Sequence, residues 1–324
     1  MILMRNIAKY AAIYAAVLLF SISLIAQTGG KKPVAKAADV AQAQASAAGP
    51  SKELAEAYFK RMFGYDPGID VKILNIGPSP IAELSEVSIV FITPEGQQSG
   101  KWYVSNDLQH VIAGGEMLPF GADPFAAERT ELASSVFGPS KGPADAKMLI
   151  VEFADLECPA CKEAAPLMER LRTDFPQARF VFQSFPLQQH PWAVRASSYL
   201  DCIARQNQDQ AFTFIDAVFT HQKEIEDAVR KTDASGKTTV DDAAVAERLR
   251  EYTATAGADP AQIEACAATP ETSERITRSQ TLGKAVGVSS TPTLFLNGRH
   301  VGNPTAAQYE ALKGVVNYEA EQAK

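Results

Sequence analysis

The feature that most constrains this chain is a pair of cysteines at the junction between an apolar run and a helix. The run predicts a strand to about Leu156, and Pro159 predicts the first turn of a helix. The sulfur of Cys158 then lies where the first unpaired N–H groups of the helix point, and these groups stabilise a thiolate. Cys161 follows one turn later on the same face, within reach of a disulfide. The pattern indicates dithiol/disulfide exchange with other thiols.

Composition limits the kind of protein that carries this pair. At 324 residues the chain is long enough for two domains and a leader, and 46% hydrophobic and 21% charged residues are typical of a globular protein. The net charge of -7 is spread along the chain, so nothing predicts a nucleic-acid partner. The four histidines have no metal-ligand spacing, and we predict no metal and no cofactor. They are interpreted as surface or loop residues, and the alternative for one of them is a place in a groove beside the cysteines: His110, His190, His221 and His300.

The amino terminus predicts export. Arg5 and Lys9 precede an apolar run of 17 residues from Tyr10 to Ala26, and a polar segment follows. This run is either a cleaved signal peptide or an uncleaved membrane anchor, since its length falls between the two classes and Leu24 is a poor residue before a cut after Ala26. In both cases the rest of the protein lies outside the cytoplasm, where disulfides persist. We therefore expect a periplasmic location.

Two domains are expected after this leader of residues 1–26. Residues 27–50 are Ala/Gln-rich and predict a linker, because they carry too few large apolar side chains to bury a face. Residues 51–120 predict a small α+β domain, in which one helix starts at the N-cap Ser51 and short strands with antiparallel turns follow. About 70 residues make a marginal core, so a second copy would stabilise this domain.

The remaining chain predicts an α/β domain with a helical insert. Residues 121–143 are rich in Gly and Pro and are interpreted as a second linker. Residues 144–324 follow the order β-α-β, helical insert at about 189–286, then β-β-α, which implies a mixed sheet. The helical periodicity of the insert predicts four helices, at residues 192–206, 210–220, 242–255 and 271–285.

These features together resemble the DsbA-like class of thioredoxin-fold proteins, in which a helical domain interrupts a thioredoxin core. The match is carried by Cys158-Pro159-Ala160-Cys161, by Glu152 before them, by the helical insert and by the segment Gly287–Phe295. The resemblance implies that Pro292 is a cis-proline facing the disulfide and that Thr291 pairs with a bound peptide. It also implies that Glu152 is buried and exchanges a proton with Cys161. The alternative for Glu152 is a solvated carboxylate on the outer face of the strand.

The amino-terminal domain resembles the dimerisation domains of DsbC- and DsbG-type isomerases, with a helix, antiparallel strands and a linker to a thioredoxin-like domain. Residues 102–107 and 111–115 are similar in pattern to the hairpin of those domains. The chain departs from that class at Pro159 and Ala160, where it has neither glycine nor tyrosine, and in a second cysteine pair within the insert. The resemblance implies a possible homodimer.

The second cysteine pair is expected to form a structural disulfide. Cys202 and Cys266 both lie in helical segments of the insert, and a bridge between them closes a loop of about 64 residues. In the chain-entropy model such a loop stabilises the fold by roughly 4 kcal/mol. The alternative is a second redox couple that relays electrons from Cys158 and Cys161.

The surroundings of Cys158 predict an oxidant of intermediate strength. Asp155 and Glu157 place negative charge near the thiolate, and Ala160 supplies no proton or positive charge. We expect a pKa for Cys158 of roughly 4 to 7, within the range of reactive cysteines.

The function predicted from these observations is that of an extracytoplasmic thiol:disulfide oxidoreductase, an enzyme that forms or isomerises disulfides in exported proteins with cysteines. A monomeric DsbA-like oxidase would need a membrane quinone-linked partner for reoxidation, whereas an isomerase would need a dimer and a reduced active site. A non-catalytic periplasmic chaperone is an alternative of another class. A zinc protein using all four cysteines is disfavoured by the gaps between Cys161, Cys202 and Cys266.

Overall fold

The computed structural model describes residues 49–94, 96–113, 116–119, 123–232 and 238–322, and the chain divides into two units between Pro124 and Phe125. The predicted leader of residues 1–26 lies outside the described residues. In the described part of the chain, no helix combines the length and the apolar character needed to cross a membrane.

The first unit is one helix and an antiparallel sheet of five strands in chain order. Its elements are helix α1 (Lys52–Phe63) and strands β1 (Asp70–Pro78), β2 (Leu84–Thr93), β3 (Gly96–Ser105), β4 (His110–Ala113) and β5 (Glu116–Pro119). Ser51 caps the helix by accepting the Leu54 N–H. Phe59 is fully buried and meets the Trp102 ring edge to face at 4.9 Å, so the apolar side of α1 forms the core with the sheet.

The second unit is built on a mixed sheet of five strands. Its core elements are helix α2 (Ala126–Ser135), strands β6 (Ser140–Lys141) and β7 (Leu149–Ala154), helix α3 (Pro159–Asp174), strand β8 (Arg179–Ser184), strands β11 (Thr293–Leu296) and β12 (Arg299–Gly302), a 3-10 turn (Ala306–Gln308) and helix α10 (Tyr309–Gln322). The strand order is β12-β11-β7-β8-β6, with β7 and β8 parallel and the other pairs antiparallel. Asn297 and Gly298 both have positive φ in the tight turn between β11 and β12.

A helical insert separates β8 from β11. Its elements are helices α4 (Ala193–Gln206), α5 (Gln208–Thr220) and α6 (Gln222–Val229), the short strand pair β9 (Arg230–Thr232) and β10 (Thr238–Val240), and helices α7 (Asp242–Thr255), α8 (Pro260–Ala267) and α9 (Pro270–Ala285). The expected order β-α-β, insert, β-β-α is therefore present. Helices α6 and α8 were not predicted, because each has only eight residues and presents too short a periodic pattern.

Strand β7 is buried on both faces and lies at the centre of the sheet. Val151 and Phe153 join the cluster that also contains Leu132 of α2, Leu282 of α9 and Phe295 of β11. Side chains alternate along a strand, so Glu152 points to the opposite face. This places a carboxyl in the middle of the domain.

A helix lies within the segment interpreted as the second linker. Residues 126–135 form α2, and Leu132 of this helix is fully buried in the core of the second unit. Local signals gave no sign of it, because Leu132 is its one buried residue and Gly/Pro-rich stretches flank it. Ser140 and Lys141 pair with Val181 and Phe180 of β8 as the edge of the sheet.

Candidate dithiol site

Cys158 lies at the N-cap of α3, directly after the loop that leaves strand β7. Its side chain is 6% exposed, and Pro159 occupies the first helical turn, where a missing N–H has no cost. The Cys158 N–H donates to the Asp155 carbonyl at 3.1 Å, which turns the chain into the helix. The sulfur consequently faces the N–H groups at the start of α3, as the spacing of the two cysteines predicts.

The pKa of Cys158 is lowered to about 5, which falls inside the predicted range. The largest contribution is the hydrogen bond from the Cys161 thiol, and the backbone N–H groups of Cys161 and Ala160 add to it, while burial acts in the opposite direction. Thr291 faces the sulfur as well, and its side chain favours the thiolate. At neutral pH the reduced site therefore holds a thiolate at Cys158.

Cys161 has the opposite character, because it is fully buried and receives one backbone donor, the Asp155 N–H at 3.4 Å. Burial raises its pKa well above the ordinary value, and the hydrogen bond to Cys158 and the charges of Cys158 and Glu152 raise it further. Both cysteines are free thiols in the structure. The pair thus consists of one reactive thiolate and one protected thiol.

Glu152 lies on the central strand with 3% of its side chain exposed, paired in register with Leu294 on one side and Phe182 on the other. Burial raises its pKa to about 8, and the positive charge of Arg172 offsets part of that rise. Its Oε1 atom accepts no hydrogen bond from the described residues. The carboxyl is therefore mostly protonated at neutral pH, and its ionised form raises the pKa of Cys161.

Thr291 and Pro292 form a wall beside the Cys158 sulfur, immediately before β11. The bond between them is cis, and both residues are buried. The Thr291 carbonyl oxygen lies 3.5 Å from the Cys158 sulfur and accepts a hydrogen bond from it when the thiol is neutral. The Thr291 hydroxyl is buried without a well-formed hydrogen bond among the described residues, so it is free to turn toward a thiolate.

The two carboxylates of the loop bind the segment that leads into the insert. Asp155 accepts the Leu187 N–H at 2.8 Å and lies 2.7 Å from His190 Nδ1, so His190 belongs to this loop contact. Glu157 accepts the Trp192 N–H at 2.7 Å, and burial, followed by smaller effects of its neighbours, raises its pKa to about 7. The sequence predicted that both carboxylates act on Cys158 through their charge. In the structure they accept hydrogen bonds from the segment before the insert and hold it against the loop.

Sequence reasoning missed one residue at the site. Gln222, the first residue of α6, is 7% exposed, and its Nε2 donates to the carbonyls of Leu156 and Cys158 at 2.9 and 3.1 Å. No sequence signal could have identified it, because its partners lie more than 60 positions earlier and belong to the backbone.

The structure joins Cys202 and Cys266 in a disulfide between α4 and α8. Cys202 is 1% exposed, and Arg205 donates hydrogen bonds to both sulfurs and to Thr272. The bridge lies inside the helical insert, where its sulfurs contact Arg205 and Thr272. Among the described residues, no group of three or more His, Cys, Asp or Glu side chains is arranged to hold a metal ion.

The fold and this site define a class: a thioredoxin-fold protein with a dithiol centre at the start of the helix that follows the central strand, and a helical insert before the cis-proline. The sequence matches the family model described as Thioredoxin over residues 135–317, more than half of the chain. The chain belongs to the thioredoxin family. The predicted fold class, a thioredoxin fold with a helical insert preceded by a small α+β domain, is confirmed.

Curated relatives include the Na(+)/H(+) antiporter NhaA of Herminiimonas arsenicoxydans, 31% identical over 163 residues, which are 50% of this chain and 22% of that protein. The Na(+)/H(+) antiporter NhaA 1 of Salinispora arenicola is 32% identical over 178 residues, 54% of this chain and 24% of that protein. The chain thus spans less than a quarter of the length of these relatives.

Solved structures similar to this chain include Proteus mirabilis ScsC in a transitional conformation, with a TM-score of 0.46, 18% identity, and coverage of 61% of this chain and 79% of that one. Oxidised BdbD from Bacillus subtilis has a TM-score of 0.46, 17% identity, and coverage of 57% and 93%. The thiol-disulfide exchange protein alpha-DsbA2 from Wolbachia pipientis has a TM-score of 0.47, 17% identity, and coverage of 60% and 96%.

Proposed function

We propose that this protein is an extracytoplasmic thiol:disulfide oxidoreductase that forms or isomerises disulfides in exported proteins through Cys158 and Cys161. The observation that carries the proposal is the asymmetry of the two thiols. The pKa of Cys158 is lowered to about 5, while that of the buried Cys161 is raised well above its ordinary value. Cys158 is thereby suited to exchange with a client, as nucleophile or as the sulfur that is attacked. The buried Cys161 is suited to break and re-form the internal disulfide.

In the oxidising direction, a client thiolate attacks the Cys158 sulfur of the disulfide form. A bond forms between the client and Cys158, the Cys158–Cys161 bond breaks, and its electron pair stays on Cys161. Because its pKa is high, Cys161 takes up a proton, and Glu152 is the proposed donor. A second client thiolate then expels Cys158 as a thiolate. The client loses two electrons, which the protein holds as one thiolate and one thiol.

Thr291 and Pro292 are the proposed contacts for the client backbone. The Thr291 carbonyl lies 3.5 Å from the Cys158 sulfur, so a peptide that is attacked at Cys158 runs past this residue. An extended client segment would pair with Thr291 in the manner of an added strand, which holds a cysteine against the nucleophile without selecting its neighbours. Such a contact suits client proteins that have cysteine thiols in common but differ in the rest of their sequence.

The low pKa of Cys158 favours the oxidase direction. A stabilised thiolate stabilises the reduced form of the pair, so the disulfide form gives up its bond readily to a client. This activity requires a membrane redox partner that reoxidises the pair. The isomerase alternative requires a reduced pair and a homodimer formed through the small domain of residues 51–120, and the non-catalytic chaperone requires neither cysteine.

We infer that the protein works in the periplasm. The support is the Cys202–Cys266 bridge, since such disulfides persist in oxidising compartments, together with the export leader expected at residues 1–26. Whether that leader is cleaved or retained as an anchor decides only how far from the membrane the dithiol site works.

The test compares the oxidised protein with its Cys158→Ala and Cys161→Ala variants on a reduced client and on a scrambled-disulfide client. We expect the protein to oxidise the reduced client and Cys158→Ala to be inactive. In Cys161→Ala the Cys158 thiolate attacks a disulfide of the scrambled client, so this variant should accumulate a mixed disulfide with that client. If Cys158→Ala retained client rescue, the redox function would be wrong and the chaperone supported. Sedimentation of the same samples separates the monomeric oxidase from the dimeric isomerase.

A further inference from the structure

A buried amide of the insert binds the loop that carries the nucleophile. The Nε2 group of Gln222 donates to the Leu156 carbonyl at 2.9 Å and to the Cys158 carbonyl at 3.1 Å. These two carbonyls lie on either side of Glu157, the residue immediately before the N-cap Cys158 of α3. Both protons of one side-chain amide are therefore used on the backbone of the reactive loop.

The Cys158 carbonyl is also the first acceptor of helix α3. It receives the N–H groups of Cys161 at 3.1 Å and Lys162 at 3.2 Å, in addition to the amide of Gln222. Its orientation consequently sets the direction of the first helical turn, whose N–H groups face the sulfur. A carbonyl that lost its side-chain donor would also leave its negative end unneutralised close to a thiolate.

Gln222 is itself held firmly by the insert. It follows His221, whose ring stacks on Tyr252 of α7 with centroids 5.4 Å apart. One residue earlier, the Thr220 carbonyl accepts the Lys162 ammonium of α3 at 3.5 Å. The amide thus reaches the reactive loop from the junction of α5 and α6, which contacts both α7 and α3.

We propose that Gln222 is a positioning residue for Cys158: its amide fixes the Leu156 and Cys158 carbonyls, and thereby the first turn of the helix on which the thiolate rests. The inference deepens the proposed function, because it assigns to the insert a direct part in setting the reactivity of the dithiol pair. The Gln222 amide binds two backbone carbonyls, so it acts on Cys158 through the backbone.

The test measures the pKa of Cys158 in the full-length reduced protein from the pH dependence of its alkylation and of thiolate absorbance. Gln222→Leu removes both donated hydrogen bonds, and Gln222→Glu puts an acceptor against two carbonyls. Matched controls are Gln210→Leu and Gln210→Glu, since the side-chain amide of Gln210 in α5 makes the same kind of bond, at 2.8 Å to the Gly257 carbonyl within the insert.

We expect Gln222→Leu to raise the Cys158 pKa by about 0.5–1 unit, the equivalent of one lost hydrogen bond, and Gln222→Glu to raise it more. A rise of one unit in the Cys158 pKa lowers the equilibrium constant for oxidising a client dithiol about tenfold. This corresponds to a reduction potential about 30 mV lower. The Gln210 variants should keep the wild-type pKa of Cys158.

A Cys158 pKa unchanged in whichever Gln222 variant folds, or raised equally in the Gln210 variants, would overturn the proposal. The two variants differ in size and charge, so a folding defect in one leaves the other to decide. The result is independent of activity: if the wild-type protein exchanged no disulfides, the proposed function would fail while the thiol titration still decided the role of Gln222.

Discussion

At the scale of single residues, Glu152 is a cost to the fold. Its carboxyl is buried on the central strand, and its Oε1 atom has no hydrogen-bond partner among the described residues. Burial raises its pKa to about 8, so the folded protein keeps a proton there that the unfolded chain releases above its ordinary pKa of 4.5. Between these two values, the free energy of unfolding falls as the pH rises, because the native state binds more protons.

Glu152→Gln should therefore gain stability relative to the wild type as the pH rises from 5 to 8. The difference in unfolding free energy is expected to grow by up to about 1.4 kcal/mol per pH unit and to level off above pH 8. Urea denaturation of the oxidised proteins at several pH values measures it, since no active-site thiol then titrates. The exposed Glu53, whose pKa is lowered, is the control, and Glu53→Gln should show no such gain. A difference that stays flat with pH would contradict a raised pKa.

Cys161→Ala should raise the pKa of Cys158. The thiol of Cys161 is the largest cause of the low value, and a hydrogen bond to a charged group contributes about 1.5–3 kcal/mol, or about 1–2 pKa units. Alkylation of the reduced variant as a function of pH measures the shift. Cys161→Ser, which retains a hydroxyl donor, should restore part of the low pKa. An equal pKa in wild type and Cys161→Ala would show that the backbone N–H groups alone stabilise the thiolate.

The residues of the dithiol site differ in how far the sequence predicts them. Cys158 and Cys161 are identified by their spacing and by Pro159, which are local signals at a strand–helix junction. Gln222 and the partners of Glu157 were not predicted as contacts, because hydrogen bonds to the backbone of a distant segment leave no pattern in a single sequence. Local rules therefore identify the two cysteines but not the distant residues that hold their loop.

At the scale of elements, the insert is held together by a covalent bond as well as by packing. The Cys202–Cys266 disulfide joins α4 to α8 across 64 positions of sequence. Arg205 extends the same contact through Thr272 at the start of α9, so three helices meet at the bridge. Helix α9 in turn reaches the sheet, where Ser279 accepts the Gln183 amide.

Replacing Cys202 and Cys266 together with Ala should lower the free energy of unfolding by roughly 4 kcal/mol, the loop-closure value for this separation. Chemical denaturation measures the loss. The Cys158 pKa of the folded variant should stay near that of the wild type, since the groups that lower it are Cys161, Thr291 and the first N–H groups of α3. A variant that lost client oxidation while keeping its stability would favour the relay of electrons between the two pairs.

Local signals predicted some elements and not others. Helix α1 begins at its predicted N-cap, and the β11–β12 turn forms at Asn297-Gly298, because both depend on residues adjacent in sequence. Helix α2 was not predicted, since it is stabilised by one side chain, Leu132, in a core supplied by strands that come later in the chain. Elements such as α2 are stabilised by long-range contacts, which leave no local pattern in the sequence.

At the scale of the whole molecule, the chain has two units, each with its own hydrophobic core. The boundary between Pro124 and Phe125 assigns α2 to the second unit, although the Gly/Pro-rich stretches around it suggest a linker. Helix α2 belongs to the second unit because its Leu132 packs into the core of that unit.

Leu132→Ala should therefore destabilise the unit that carries the cysteines. Truncating a fully buried leucine costs about 2–5 kcal/mol, and Leu54→Ala, at a position 37% exposed, is the control that should cost much less. Denaturation followed by the accessibility of Cys161 to alkylation reports on the second unit specifically. If Leu132→Ala changed neither its midpoint nor that accessibility, α2 would be a linker after all.

The ties between the reactive loop and the insert have a consequence for protein engineering. Asp155, Leu156, Glu157 and Cys158 each bind a residue that a minimal thioredoxin core would lack or place elsewhere. A Cys-Pro-Ala-Cys tetrapeptide grafted onto an insert-free scaffold would thus lack the hydrogen bonds that hold its loop in this protein. The transferable unit is the tetrapeptide together with Leu187, Trp192 and Gln222, which bind that loop.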